Sequence, residues 1–230
     1  MPGSVAGALT PAEAPLLLGL VPESVIVAEA RCDIDAPLLP PEAAHVSRAS
    51  ARRRAEFTTV RFLAGRALAE LGLARPVMVP GPAGEPTWPD GVVGSLTHCT
   101  GFRAAAVARA SGVAAVGIDA EPNRPLARGV LERIAAPVER ENVCELVEAV
   151  PDVAWDRLLF SVKESVYKAW FPLTHCPLRF ADAAVTVRPD GTFTARLAAG
   201  AHFDADGADL TGRWATSGGL LASAVVCYAG

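Results

Sequence analysis

Apolar residues recur along this chain at two spacings, and the switches between them mark out its elements. Residues 24–30 carry β-branched Val25, Ile26 and Val27 and read as a strand. Over 40–73 the spacing is helical. Phe57, Val60, Ala64, Leu68 and Leu71 share one face, Pro40-Pro41-Glu42 suits a helix start, and Gly72 suits a stop. Arg53 and Arg61 lie off that face, about 80° apart at ~100° per residue. Residues 80–91, PGPAGEPTWPDG, form a Pro/Gly loop. The runs 92–98, 103–108 and 113–119 read as three strands of a meander, ended by Pro122. Helical patterns cover 130–150 and 155–170, 184–197 is a hairpin turning at Pro189-Asp190-Gly191, and 220–228 is a last strand. Residues 1–22, rich in Ala, Pro and Gly, predict a loose start with a short helix near 16–20.

A helix followed by antiparallel strands occurs twice, before and after about residue 112. The order predicts an α+β fold of two similar halves, 1–112 and 113–230, although no direct repeat is visible. A chain of 230 residues can bury one core or two small ones. Apolar residues at 51 % and charged residues at 20 % suit a compact soluble protein, and the net charge of −4 excludes a wholly basic nucleic-acid binder. Residues 45–75 depart from that balance, with seven arginines against Glu56 and Glu70. Five scattered cysteines without a CxxC pair argue against zinc and suit free thiols in a reducing cytoplasm. No basic stretch precedes an apolar run at the N-terminus, and no segment has the roughly 20 apolar residues that span a bilayer.

The chain holds only two lysines, Lys163 and Lys168, in FSVKESVYK (160–168). Elsewhere it uses arginine, which cannot give up its proton near neutral pH, so a site needing a proton-donating cation would need lysine. Glu164 and Lys168, four apart, share one helix face, with Leu159, Val162 and Val166 opposite. An exposed Glu–Lys pair of a few tenths of a kcal/mol is the alternative reading.

In VGIDAE (116–121), Asp119 and Glu121 alternate on a strand and aim two carboxylates the same way. That suits Mg²⁺, which takes one or two carboxylates and completes its shell with water and phosphate oxygens. A solvated strand end would look the same. Thr97 and His98, before Gly101, could bind a phosphate, or His98 could be a structural residue. The arginine helix could be a phosphate or protein site, or an ordinary solvated face.

Together, RRRAEFTTVR (52–61), GEPTWPDGVVGSLTHC (84–99), VGIDAE (116–121) and FSVKESVYK (160–168) resemble the 4′-phosphopantetheinyl transferase superfamily. The last two match its signatures G-[IV]-D-x-E and [FW]-[SC]-x-K-E-[AS]-x-x-K. The likeness runs from about Arg52 to Val187, and the long block before His98 resembles the larger, siderophore-type and broad-specificity actinobacterial enzymes.

The resemblance implies two α/β halves related by pseudo-twofold symmetry. It further implies transfer of 4′-phosphopantetheine from coenzyme A to a serine of an apo acyl or peptidyl carrier protein, with release of adenosine 3′,5′-bisphosphate. By resemblance, Asp119, Glu121 and Glu164 would hold Mg²⁺ (or Mn²⁺), Glu164 would be the general base and Lys168 the acid. Lys163 would contact the pyrophosphate or help position the arm. Arg53 and His98, with Arg61 nearby, would bind the 3′-phosphate, and Gly84-Glu85-Pro86 would lie along the adenine. Family members often carry a lysine before Gly-Glu-Pro, but residues 79–83 contain none, leaving looser CoA binding or compensation by Arg54. The arginine helix would face an acidic carrier, with Trp170, Phe171 and Leu173 either docking or core residues. A cytoplasmic monomer with no nucleic-acid or membrane partner is expected. Two other readings remain at this point: a Mg²⁺-dependent hydrolase of CoA or another pyrophosphate, and a non-enzymatic basic-helix module.

Overall fold

The computed structural model of the chain describes residues 15–197 and 209–229. Most of the loose start expected over 1–22 lies outside them, and the short helix near 16–20 is a 3-10 turn, Leu18–Leu20. The strands of the first half are β1 (Val25–Ala30), β2 (Val92–Cys99) and β3 (Phe102–Arg109), which form an antiparallel sheet in the order β1-β3-β2. Its helices are α1 (Pro40–His45) and α2 (Ala51–Glu70). The unbroken helix expected over 40–73 therefore divides. Ser50 starts a new helix by accepting a hydrogen bond on Oγ from the Arg53 amide at 3.2 Å, as a good N-cap does.

The second half begins with β4 (Val113–Pro122) and continues through α3 (Leu131–Ile134), α4 (Pro137–Ala149) and α5 (Trp155–Thr174). Pro137 cannot extend α3 and opens α4 instead. Strands β5 (Ala183–Val187), β6 (Thr192–Leu197), β7 (Asp209–Ser217) and β8 (Leu220–Tyr228) follow, and the five-stranded order is β4-β8-β7-β6-β5. Both sheets repeat one plan of strand, helix and hairpin, with the first strand paired antiparallel to the last, β1 to β3 and β4 to β8. This is a two-sheet α+β fold.

The expected meander fails at β4, which leaves β3 and joins the second sheet. It still lies beside β2, but side chains bridge the two edges. Ser95 Oγ accepts from the Ile118 amide and Thr97 Oγ1 from the Ala120 amide, each at 3.1 Å. These hydroxyls satisfy donors that a free sheet edge would leave unpaired.

Three apolar clusters fill the molecule. One packs α2 on the first sheet, one lies between the sheets, and one packs α4 and α5 on the second sheet. Strand β3 is buried on both faces. Ala104, Ala106 and Ala108 meet the second sheet, while Ala105 and Val107 meet α2. Among the described residues no helix is long and apolar enough to cross a membrane, and all five cysteines are unpaired.

Helix α5 approaches the second sheet unusually closely because its inward face is small. Ser161, Ser165 and Ala169 are fully buried, and Ser223 of β8 bonds to Ser161 at 3.0 Å and Ser165 at 3.1 Å. Opposite them is Gly117, where an added Cβ would lie 1.9 Å from the Ser165 carbonyl oxygen and 2.7 Å from the Ala169 nitrogen. The small residues of both signatures thus have one packing reason.

Candidate functional site

Where the two halves meet, α2, the loop before β2, β2, β4 and α5 enclose a cleft of about 520 Å³. Arg53 and Arg61 enter from α2, Gly84, Glu85 and Pro86 from the loop, His98 from β2, and Glu164 and Lys168 from α5. Segments more than a hundred residues apart therefore supply one surface. Tyr167, Phe171 and His175 also line it; Phe171 was expected as a docking or core residue, and Tyr167 and His175 were not anticipated from sequence.

The first-half side is cationic. Arg53 Nη1 lies 2.6 Å from His98 Nε2. Burial holds His98 below the usual imidazole range, with Arg53 and Arg103 adding to that and Glu56 opposing it. Arg61 is buried, lies 3.6 Å over the Phe57 ring and donates from Nε to the Met78 carbonyl at 3.2 Å. Glu85 turns back on its own loop and accepts from the Ala83 amide at 2.9 Å. Arg54 donates to the Ser47 carbonyl and does not line the cleft, so it does not stand in for the missing loop lysine.

On the opposite wall Lys168 Nζ bonds to Asp119 Oδ1 at 2.7 Å and to the Ile118 carbonyl at 3.1 Å, rather than to Glu164. Thr97 Oγ1 donates to the same Asp119 oxygen at 3.2 Å. Glu121 pairs with Arg157 at 3.1 Å. Arg157 was not anticipated from sequence, yet it sits two helical turns before Glu164 on nearly the same face of α5, a spacing that could have revealed it. It also donates to the Arg124 and Pro125 carbonyls.

Two expected cofactor contacts are corrected. Lys163 is buried on the other side of α5, where its ammonium reaches Glu139 at 2.8 Å and the Phe180 and Ala183 carbonyls, each at 2.8 Å. Neighbours on a helix point about 100° apart, so Lys163 turns inward while Glu164 faces the cleft. Thr97 is buried too, its hydroxyl occupied by Asp119 and the Ala120 amide. Lys163 therefore has a structural load. Lys163→Met should lower stability by about 3 kcal/mol through the stranded Glu139 carboxylate. Thermal melts of the variant and the parent check this.

The three carboxylates expected to hold a metal stand apart. Among the described residues, no group of three His, Cys, Asp or Glu side chains is gathered to hold an ion. Lys168 engages Asp119 and Arg157 engages Glu121. The donors nevertheless suit a hard cation. All are oxygens, and Asp119 Oδ2 is buried without a hydrogen-bond partner among the described residues. Burial, then the charge of Asp119, pushes Glu121 up against the pull of Arg157. Burial also pushes Glu164 up, with Lys168 opposing and Asp119 adding. The wall carries more negative charge than its own cations offset.

Fold and cleft together define an α+β protein of two joined sheets that presents arginine, histidine, lysine and carboxylate in one cleft. Residues 41–108 match the 4′-phosphopantetheinyl transferase N-terminal domain, and residues 115–217 match the 4′-phosphopantetheinyl transferase superfamily. The chain is 53 % identical over 199 residues to the 4′-phosphopantetheinyl transferase Svp of Streptomyces mobaraensis, covering 84 % of this chain and 79 % of that one. It is 46 % identical over 195 residues to the 4′-phosphopantetheinyl transferase PptT of Mycobacterium tuberculosis, covering 82 % and 85 %. To the 4′-phosphopantetheinyl transferase Npt of Nocardia iowensis it is 40 % identical over 197 residues, covering 81 % and 87 %. The chain belongs to the 4′-phosphopantetheinyl transferase superfamily, in its larger two-halved type, and is an enzyme of that class.

Proposed function

We propose that this enzyme transfers the 4′-phosphopantetheine arm of coenzyme A to a serine of an apo acyl or peptidyl carrier protein and releases adenosine 3′,5′-bisphosphate. The observation that carries this reading is the single cleft uniting Arg53 and His98 of the first half with Glu164 and Lys168 of the second. Its chemistry suits a ligand that carries both a phosphomonoester and a diphosphate. The boundary between the halves is placed at 112/113.

Arg53 and His98 would bind the 3′-phosphate, with Arg61 behind them and the Gly84–Pro86 loop along the adenine. Asp119, Glu121 and Glu164 would hold Mg²⁺ or Mn²⁺ once Lys168 and Arg157 release their partners. Such an ion neutralises diphosphate charge and aligns the phosphates.

Glu164 takes the proton from the carrier serine as its oxygen bonds to the phosphorus bearing the pantetheine arm. The bridging P–O bond breaks, and the electron pair leaves on the α-phosphate of the nucleotide. Lys168 gives a proton to that oxygen, which arginine could not do, or neutralises it. Exposed arginines of α2, such as Arg52, offer charge to an acidic carrier helix and would speed encounter more than they tighten binding.

Incubation of the enzyme with CoA, Mg²⁺ and an apo carrier should add the mass of one phosphopantetheine to the carrier. Loss of CoA without that gain would instead establish hydrolysis, and neither change would leave only a binding module. Fatty acid, polyketide and nonribosomal peptide carriers are the substrates to try.

A further inference from the structure

Glu56 is a buried carboxylate that no step above uses, yet cations converge on it from two elements. It lies on α2, where Arg52 Nε donates to Oε1 at 2.9 Å and Arg53 Nη1 stands 4.0 Å from Oε2. From β3, Arg103 comes within 3.8 Å of Oε1 while pairing with Asp33 at 2.8 Å. From β2, His98 Nδ1 lies 3.5 Å from Oε2.

The other side of the imidazole fixes its proton. Arg53 Nη1 is 2.6 Å from His98 Nε2. A guanidinium has only donors, so this contact is a hydrogen bond only if Nε2 carries the lone pair. The network therefore assigns the single proton of the neutral ring to Nδ1, facing Glu56.

Such a ring is poorly set for an anion. A phosphate displacing Arg53 from Nε2 would meet a lone pair rather than an N–H. A second proton, drawn from solvent onto Nε2, converts that nitrogen to a donor and makes an imidazolium between two negative groups. Glu56 is kept ionised for this. Burial would raise it, but the Arg52 hydrogen bond, the charge of His98 once it is an imidazolium, and the charges of Arg52 and Arg103 hold it below the usual carboxylate range. In the free enzyme, burial and the charges of Arg53, Arg103 and Lys168 discourage the second proton. A docked dianion reverses the sign of that local field.

We propose that Glu56 is a positioning residue that holds the His98 proton on Nδ1 and lets the ring gain another on Nε2 as a phosphomonoester docks against Arg53, so that the subsite takes up phosphate and proton together. This rests on the reading of Arg53 and His98 as the 3′-phosphate site.

Titration calorimetry near pH 7.5, in two buffers of different ionisation enthalpy, counts the protons bound with each ligand. CoA should take up more than 3′-dephospho-CoA, by up to about one proton. His98→Gln should abolish the difference. Glu56→Gln retains an oxygen for Nδ1–H but no charge. It should shrink the difference and weaken CoA roughly tenfold, the scale of one hydrogen bond to a charged group, with 3′-dephospho-CoA unaffected. If CoA is preferred over 3′-dephospho-CoA but both take up equal protons, the coupling is overturned while the phosphate subsite stands. If Glu56→Gln weakens both ligands alike, Glu56 is only structural. No preference for CoA at all would remove the subsite reading and this inference with it.

Discussion

Glu164→Gln should abolish turnover while making the ligand-free enzyme more stable. The first effect would follow from the proposed role of Glu164 as acceptor of the serine proton. General bases contribute about 10²- to 10⁴-fold, and the glutamine amide cannot replace one. The second follows from the environment of the carboxylate. Burial raises Glu164 above the ordinary carboxylate range, Lys168 opposes this, and Asp119 adds to it. The folded chain therefore holds that proton more tightly than the unfolded chain. Stability from this group is full below the unfolded value and is lost as pH rises through the raised one, so at neutral pH the charge is a net cost. Glutamine removes the cost, so Tm should rise at neutral pH. The gain should vanish in acid, where the parent is also uncharged at this position. Single-turnover assays and melts across pH measure both. Turnover within tenfold of the parent, or a lower Tm at neutral pH, would sink the assignment.

Gly117→Ala should cost about 3 kcal/mol or more, at the upper end of overpacking effects. The added methyl would meet the Ser165 carbonyl oxygen at 1.9 Å and the Ala169 nitrogen at 2.7 Å. Both are backbone atoms in the middle of α5, so no side chain can rotate away. The helix must move off β4, and Lys168 would leave Asp119, now 2.7 Å away. Tm should fall by roughly 6–12 °C for that cost, and the fraction that still folds should lose rate, because displacements near 1 Å at a reacting centre carry large penalties. Ser165→Ala, which keeps the space, should be far milder. A Gly117→Ala enzyme with parental Tm and rate would show that the close approach of β4 and α5 is dispensable.

Much of the local structure was legible because short-range rules govern it. Alternation and β-branching marked β1, β2, β3 and β8, and Pro-Asp-Gly marked the turn between β5 and β6. β7 was missed for the same reason. Among its residues only Trp214 is buried, so no apolar alternation exists to be read. The division between α1 and α2 was missed although Ser50 is a good cap, because apolar spacing alone carries through it.

The candidate site was legible as a set of residues, not as a set of contacts. Arg53, His98, Glu164 and Lys168 line one cleft, but adjacent positions in the same motifs do not. Lys163 depends on Glu139, and Thr97 on Asp119 and the Ala120 amide; those partners stand more than twenty residues away. No local pattern encodes such distances. The ion pairs of Asp119 with Lys168 and of Glu121 with Arg157 are long-range in the same way.

By itself, the sequence determined the family, most of the order of strands and helices, and a supply of carboxylate, lysine, arginine and histidine side chains. These follow from residue type and from spacings of two to four along one element. Only the tertiary structure decided that β4 joins the second sheet, that one lysine of the pair is buried and the other faces the cleft, and that Glu56 stands behind His98. Each of these depends on which surfaces come together, and the packing of α5 against Gly117 and of β2 against β4 settles that.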